Sequence, residues 1–212
     1  MVLPAPSTLP TVTTVTGDDG RARCAWSATD PEYRRYHDEE WGVPLHGDTA
    51  VFEKLSLEGF QAGLSWITIL RRRDGIRAAF AAFDPRVLAS WGEEEVTRLL
   101  SDARIIRNRA KVEAALTNAR VLVQLLDSEG DGALDRLVWS FAPAPRSESE
   151  RPVSFAEVPA TTPESAALSK ELRRRGFRFV GPTTMYALMQ SGGLVDDHLA
   201  GCWRAGSARQ KG

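Results

Sequence analysis

The chain has 212 residues, 42% of them apolar and 26% charged, and carries a formal net charge of −1. Those proportions suit a globular chain able to bury a sizeable core. They exclude a uniformly basic nucleic-acid binder but leave local basic patches open.

The first twenty residues, MVLPAPSTLPTVTTVTGDDG, are rich in Thr and Pro. They lack a basic start followed by an apolar run, so they are not a secretory signal, and a disordered tail is expected over 1–20. No later stretch approaches ~18 uninterrupted apolar residues, so no membrane span is expected. A helical domain is expected over 21–204 and a flexible tail over 205–212. Two cysteines near opposite ends of the chain give no disulfide framework and fit reduced thiols in the cytoplasm.

TDPEYRRYHDEEW (29–41) opens with a helix-entry signal, Thr29 or Asp30 as N-cap and Pro31 at the first helical position. Further helical stripes at i, i+3, i+4, i+7 run through Val96, Leu99, Leu100 and Ala103, and through Leu134, Leu137, Val138 and Phe141. A longer stripe joins Val112, Ala115, Leu116, Ala119, Val123 and Leu126. Residues 142–163 form one long irregular connection. No run shows sustained period-two alternation with hairpin chemistry, and there is no internal repeat. The fold class expected is all-α, with about nine to eleven short helices.

In DDHLAGC (196–202), a helix would put His198 and Cys202 one turn apart on one face. Two soft donors do not close a structural metal site. Cys24 and His37, spaced C-x12-H, supply the other two. The set Cys24, His37, His198 and Cys202 is then a full tetrahedral zinc shell with no position left for water. Such an ion is structural, not catalytic, and pins segments near both ends of the chain. His46 is left over, in the GVPLHGD loop.

In VFEKLSLEGFQAGLSWITIL (51–70), Val51, Leu55, Glu58 and Ala62 share one helical face. An acid on that face is either salt-bridged at its edge or a site group whose pKa is raised by burial. Trp26, Tyr33, Tyr36, Trp41 and Trp66 lie near Glu58 or the metal donors in sequence. Each alone reads as core; together with an acid they resemble a pocket for a flat, electron-poor ring. Gly63 turns the chain sharply and projects Leu64, either as a wedge or as buried packing.

Three basic clusters, RRRDGIR (71–77), RIIRNRAK (104–111) and KELRRRGFR (170–178), are either solvated helix faces or a track for phosphates. The last runs into GFRFVGPTTMYALMQSGG, which reads as helix, tight turn, and helix from near Pro182. Gly176 and Gly181 let the backbone come close to a phosphate there.

The segments RCAWSATDPEYRRYHDEEWGVP, LEGFQAGLSWITIL, DARIIRNRAKVEA and LSKELRRRGFRFVGPTTMYALMQSGGLVDDHLAGC closely resemble the type I 3-methyladenine-DNA glycosylases, over roughly residues 22–203. The resemblance implies a helix-hairpin-helix glycosylase fold with a zinc clasp on Cys24, His37, His198 and Cys202. It puts the base-pocket acid on Glu58, the pocket aromatics on Trp26, Tyr33, Tyr36, Trp41 and Trp66, and the residue entering the DNA stack on Leu64. In VDDH, Asp196 occupies a slot where many superfamily members carry a catalytic aspartate and the best-known type I enzymes carry asparagine. It is either a second carboxylate near the sugar or the N-cap of the last helix.

The implied reaction is hydrolysis of the N-glycosidic bond of 3-methyladenine in double-stranded alkylated DNA, after the base flips into the pocket. The enzyme is expected to be a monomer. No lysine is expected in the pocket, so no lyase step is expected. Two other classes remain as alternatives. One is a non-catalytic zinc-stapled DNA-gripping module. The other is a zinc deaminase, which would want an open metal site and an H-x-E…P-C-x-x-C arrangement that is absent.

Overall fold

A computed structural model describes residues 13–206; residues 1–12 and 207–212 lie outside the described residues. Most of each expected tail therefore falls outside, but residues 13–20 are ordered. Thr14–Thr16 (β1) pairs antiparallel with Ala22–Cys24 (β2), Thr14 opposite Cys24, across a turn with Gly20 at φ +74°. This two-stranded hairpin is the one sheet among the described residues, and the fold is otherwise of the all-α class expected. The hairpin is held by Arg23, buried, which grips Asp38 at 2.8 Å and Asp19 at 2.6 Å.

Ten α-helices follow among the described residues: α1 Pro31–Glu39, α2 Asp48–Gln61, α3 Trp66–Leu70, α4 Arg73–Ala79, α5 Pro85–Ala89, α6 Glu93–Ser101, α7 Arg109–Glu129, α8 Ala133–Trp139, α9 Pro163–Arg174 and α10 Pro182–Ser191. Their starts follow local chemistry. The Asp30 side chain accepts the Glu32 N–H at 2.8 Å with Pro31 at the first helical position, and Asn108 accepts from Lys111 in the same manner. The expected stripes bury their faces, with shifts at the ends. In α7, Leu122 and Leu125 enter the core while Val123 and Leu126 stay half-buried. Ala103 and Phe141 fall beyond the ends of α6 and α8. The 142–163 connection is irregular apart from two short 3₁₀ turns, Glu148–Glu150 and Phe155–Glu157.

Two apolar cores result. The larger is built around α7 and takes in α2, α5, α6, α8, α9 and α10. The smaller joins Cys24, Tyr36, Trp41, Leu70, Leu199 and Cys202. Trp66 and Val158 pack against both, so the seam between the cores runs past the N-terminus of α3. No helix among the described residues is long and apolar enough to cross a membrane.

The end of α10 sets the register of that seam. Gly193 has φ +73°, and a Cβ there would lie 2.5 Å from the Pro44 nitrogen and 2.6 Å from the Val43 carbonyl carbon. Both conformation and space demand glycine. Gly193→Ala is expected to cost about 2 kcal/mol or more, read as a lowered midpoint in urea unfolding; an unchanged midpoint would show that the turn gives way freely.

Candidate active site and metal centre

Cys24 ends β2, His37 lies on α1, and His198 and Cys202 lie in the segment after α10. That last segment is not helical: turns, not an α-helical i, i+4 spacing, bring His198 and Cys202 together. Cys202 Sγ lies 3.4 Å from His37 Nε2 and 3.6 Å from His198 Nδ1, and Cys24 Sγ lies 4.0 Å from His198 Nδ1. All four donors are buried and lie within 4.8 Å of one another. A tetrahedral ion with N and S bonds of about 2.0–2.3 Å separates its ligands by about 3.5 Å, so the cage fits one such ion. The other ring nitrogens are already engaged. His37 Nδ1 meets Asp38 Oδ1 at 2.8 Å, and His198 Nε2 meets the Trp41 carbonyl at 3.1 Å. Between the thiols, hydrogen bonding with Cys24 draws Cys202 down, helped by both histidines, while Cys24 is driven up by that same bond and by burial. Two thiolates here require a cation between them.

The cleft at the seam encloses about 460 Å³ and is lined by Trp26, Tyr33, Tyr36, Trp41, Trp66 and Glu58, together with Gln61, Phe155, Gln190 and Ser191. All five aromatics named from the sequence therefore share one cavity with the acid. Trp26 is their hub, with ring centroids 5.5 Å from Tyr33 and 5.3 Å from Trp41, both edge-on. Tyr36 and Trp66 are 5.5 Å apart. The Tyr33 hydroxyl accepts the Ile67 N–H at 3.0 Å, fixing α3 and with it Trp66. Trp41 stands 4.6 Å from the His198 ring, so the cleft wall and the metal cage are one packing unit.

Glu58 is 4% exposed and has no arginine partner among the described residues, against the reading of a salt bridge at the stripe's edge. Burial pushes its carboxyl up to about 7, against the nearby charge of Lys54 and the Ser191 hydroxyl, which donates to Oε1 at 2.9 Å. Burial, and then the Glu58 charge, raise the Tyr36 phenol well above its ordinary value.

Five contributors were missed in the sequence, among them Gln61 at the end of α2. Lys54 is buried one turn before Glu58 but does not line the cleft. The Lys54–Glu58 spacing was visible in KLSLE. Ser191, Gln190 and Phe155 arrive from distant segments with no local signal. Gln190 Nε2 donates at 2.9 Å to Asp197, which also accepts from Tyr186 Oη at 2.6 Å and Arg146 at 2.8 Å. Asp196 is not the N-cap of a helix, since none begins there. Its Oδ1 accepts from His198 N at 3.2 Å and its Oδ2 pairs with Arg151 at 2.9 Å, outside the cleft.

Gly63 has φ +79°, and the turn it makes leaves Leu64 41% exposed, which favours the wedge reading over buried packing. Lys111 donates to the Phe60 carbonyl at 2.9 Å and braces this turn from below. Gly176 has φ +100° at the end of α9, whereas Gly181 has an ordinary φ of −63° as N-cap of α10. Asn118 holds the hairpin by exchanging two hydrogen bonds with the Arg178 backbone, at 2.7 and 3.0 Å. About half of the cations in the basic clusters are paired with acids among the described residues. Arg71, Arg77, Arg104, Arg109, Arg174 and Arg175 all have carboxylate partners, as does Arg73 with Glu40. Arg107, Lys170, Arg173 and Arg178 have no carboxylate partner among the described residues, while Arg72 and Lys111 donate to backbone carbonyls.

Residues 26–205 match the family model for methyladenine glycosylase. The chain belongs to that family. Over 180 residues it is 47% identical to DNA-3-methyladenine glycosylase 1 of Escherichia coli (strain K12), covering 85% of this chain and 95% of the relative. A crystal structure of 3-methyladenine DNA glycosylase I, 46% identical, superposes with a TM-score of 0.80 over 85% of this chain and 98% of the other. The Staphylococcus aureus 3-methyladenine DNA glycosylase I, whose structure concerns recognition of 3-methyladenine, is 32% identical with a TM-score of 0.79, covering 86% and 96%. The family match covers the whole aromatic cleft, Glu58 and three of the four cage residues; Cys24 and the β-hairpin precede it.

The position of Glu58 has a pH signature. Its folded-state pKa of about 7 lies above the ordinary 4.5, so the folded chain holds this proton more tightly than the unfolded one. The resulting stability is complete below about pH 4.5 and is lost as pH rises through about 7. Glu58→Gln is therefore expected to gain on the wild type between pH 5 and pH 8, by up to about 3 kcal/mol. Chemical denaturation at both pH values measures the difference; an equal offset at the two would mean the acid is not shifted.

Proposed function

We propose that this chain hydrolyses the N-glycosidic bond of 3-methyladenine in alkylated double-stranded DNA, as a monomeric and monofunctional repair glycosylase. The observation that carries this reading is a buried acid without a guanidinium partner, facing a cavity walled by five aromatic rings. A neutral aromatic slot would accept many flat groups; an acid that can ionise in it selects one that is positively charged and offers N–H donors. Methylation at N3 makes adenine such a ring, and makes it a good leaving group.

The lesion base enters the cleft while Leu64 fills the space it leaves in the stack. Trp26, Tyr33, Tyr36, Trp41 and Trp66 supply ring faces and edges to the base, and Glu58 accepts its N–H groups. As the glycosidic bond breaks, positive charge moves from the base to the sugar, where it is stabilised by the DNA phosphates until water adds. Lys54 does not line the cleft and Asp196 lies outside it, so neither a covalent imine nor a second carboxylate enters the scheme.

Cys24, His37, His198 and Cys202 would hold one zinc ion, which when bound supplies structural cross-linking and no bond-making chemistry, since four protein donors close its shell. Trp41 and Trp26 pack directly on the two histidines, so that ion would stiffen the cleft wall.

Chromatography of bases released from methylated DNA is expected to show free 3-methyladenine with the wild type. A charged-group hydrogen bond is worth about 1.5–3 kcal/mol, so Glu58→Gln is expected to lower excision roughly 10- to 100-fold. DNA binding without base release by the wild type would favour the non-catalytic DNA-gripping module. Elemental analysis is expected to find one zinc per chain, and a strong chelator to lower the melting temperature; an unchanged melt in metal-free protein would remove the clasp.

A further inference from the structure

We propose that Lys54 is a positioning residue for base excision: its buried ammonium, one turn from Glu58 on α2, keeps that carboxylate charged while the Ser191 hydroxyl holds its orientation. The inference rests on the function proposed above and adds a residue to it.

Lys54 is 9% exposed, unusual for a lysine, and its Nζ donates no hydrogen bond among the described residues. The ammonium lies 5.1 Å from the Tyr36 ring centroid and 5.5 Å from that of Trp66, two walls of the base cleft. It opens onto a second cavity of about 280 Å³, and Ser191 lines both cavities. The layer between the two spaces is therefore made of Lys54, Glu58, Ser191 and the two rings.

The charges around Lys54 come from every element packed on it. Glu53 and Glu58 share α2 with it; Tyr36 and Glu40 approach from α1 and the turn after it; Arg73 approaches from α4. Two of the three acids already have guanidinium partners: Glu40 takes Arg73 and Arg35, and Glu53 takes Arg77 at 2.6 Å. Glu58 has only the Ser191 hydroxyl and the Lys54 charge to offset its burial. Without Lys54, desolvation would act on this carboxyl with one hydroxyl opposing it, and the acid would be neutral over more of the physiological range. A neutral acid keeps one acceptor oxygen but loses its attraction for a cationic ring.

The test compares the wild type with Lys54→Met, which keeps the volume and removes the ammonium; Lys54→Gln is the second variant should the first not fold. The measured quantities are the pH profile of kcat/KM for 3-methyladenine release and the carboxyl ¹³C titration of Glu58. The acid limb and the NMR midpoint are both expected to move up by about one pH unit, with about tenfold loss on the limb and recovery toward alkaline pH. An unmoved NMR midpoint, or a loss of rate equal at every pH, overturns the proposal and leaves Lys54 a packing residue. Wild-type protein that releases no methyladenine defeats the functional reading instead, and the NMR titration still decides whether Lys54 governs Glu58.

Discussion

The structure depends on the closure of a four-donor cage between the two ends of the fold. Cys24 and His37 come from the first ordered elements, and His198 and Cys202 from the last. Their convergence creates a second, smaller core beside the main helical one. A cleft exists because two cores meet without merging. The cage also orients what lines that cleft: the Trp41 carbonyl meets His198, and the Trp26 ring packs edge-on against His37 at 5.4 Å. An ion held in the cage would thus be coupled through packing to whatever the cleft binds, without touching it.

Charge is managed differently in the cleft and on the surface. On the surface, many arginines are matched with acids at short range, an arrangement worth little stability per pair. In the cleft the matching is left incomplete. Glu58 sits in a site that raises its pKa, within reach of one lysine that is itself pulled down by burial. Such a pair is costly to bury. In the function proposed above, a flat cation entering from DNA would complete the pair, which would favour the damaged base over its neutral counterpart.

The Leu64 turn and the hairpin are stiffened from within. Lys111, from a cluster that reads in sequence as either a solvated helix face or a phosphate track, caps carbonyls at the end of α2, close to the turn that displays Leu64. Asn118, on the same helix, clamps the hairpin between α9 and α10. A single long helix, α7, therefore sets the relation between the Leu64 turn and the hairpin, a fixed relation that the proposed grip on a duplex with an extruded base would need.

Much of this was legible locally. Helix α1 follows from an Asp-Pro cap, α7 from its stripe, and the acid at Glu58 from its place on an apolar face; these depend on residues within a few turns of one another. The β-hairpin was legible too, in the Asp-Gly turn of TVTGDDGRARC, but was obscured by the Pro-rich composition before it. Tertiary structure alone decided the rest. His198 and Cys202 meet through turns and not a helix, and Asp196 serves a turn because no helix follows it. Arg71, Arg73 and Arg77 are paired with acids that lie on other elements, Asp30, Glu40 and Glu53. Ser191, Gln190 and Phe155 reach the cleft from remote segments. Sequence periodicity reports which face of an element is apolar; it carries no information about which distant polar group will stand opposite, and that pairing sets the charge of Glu58.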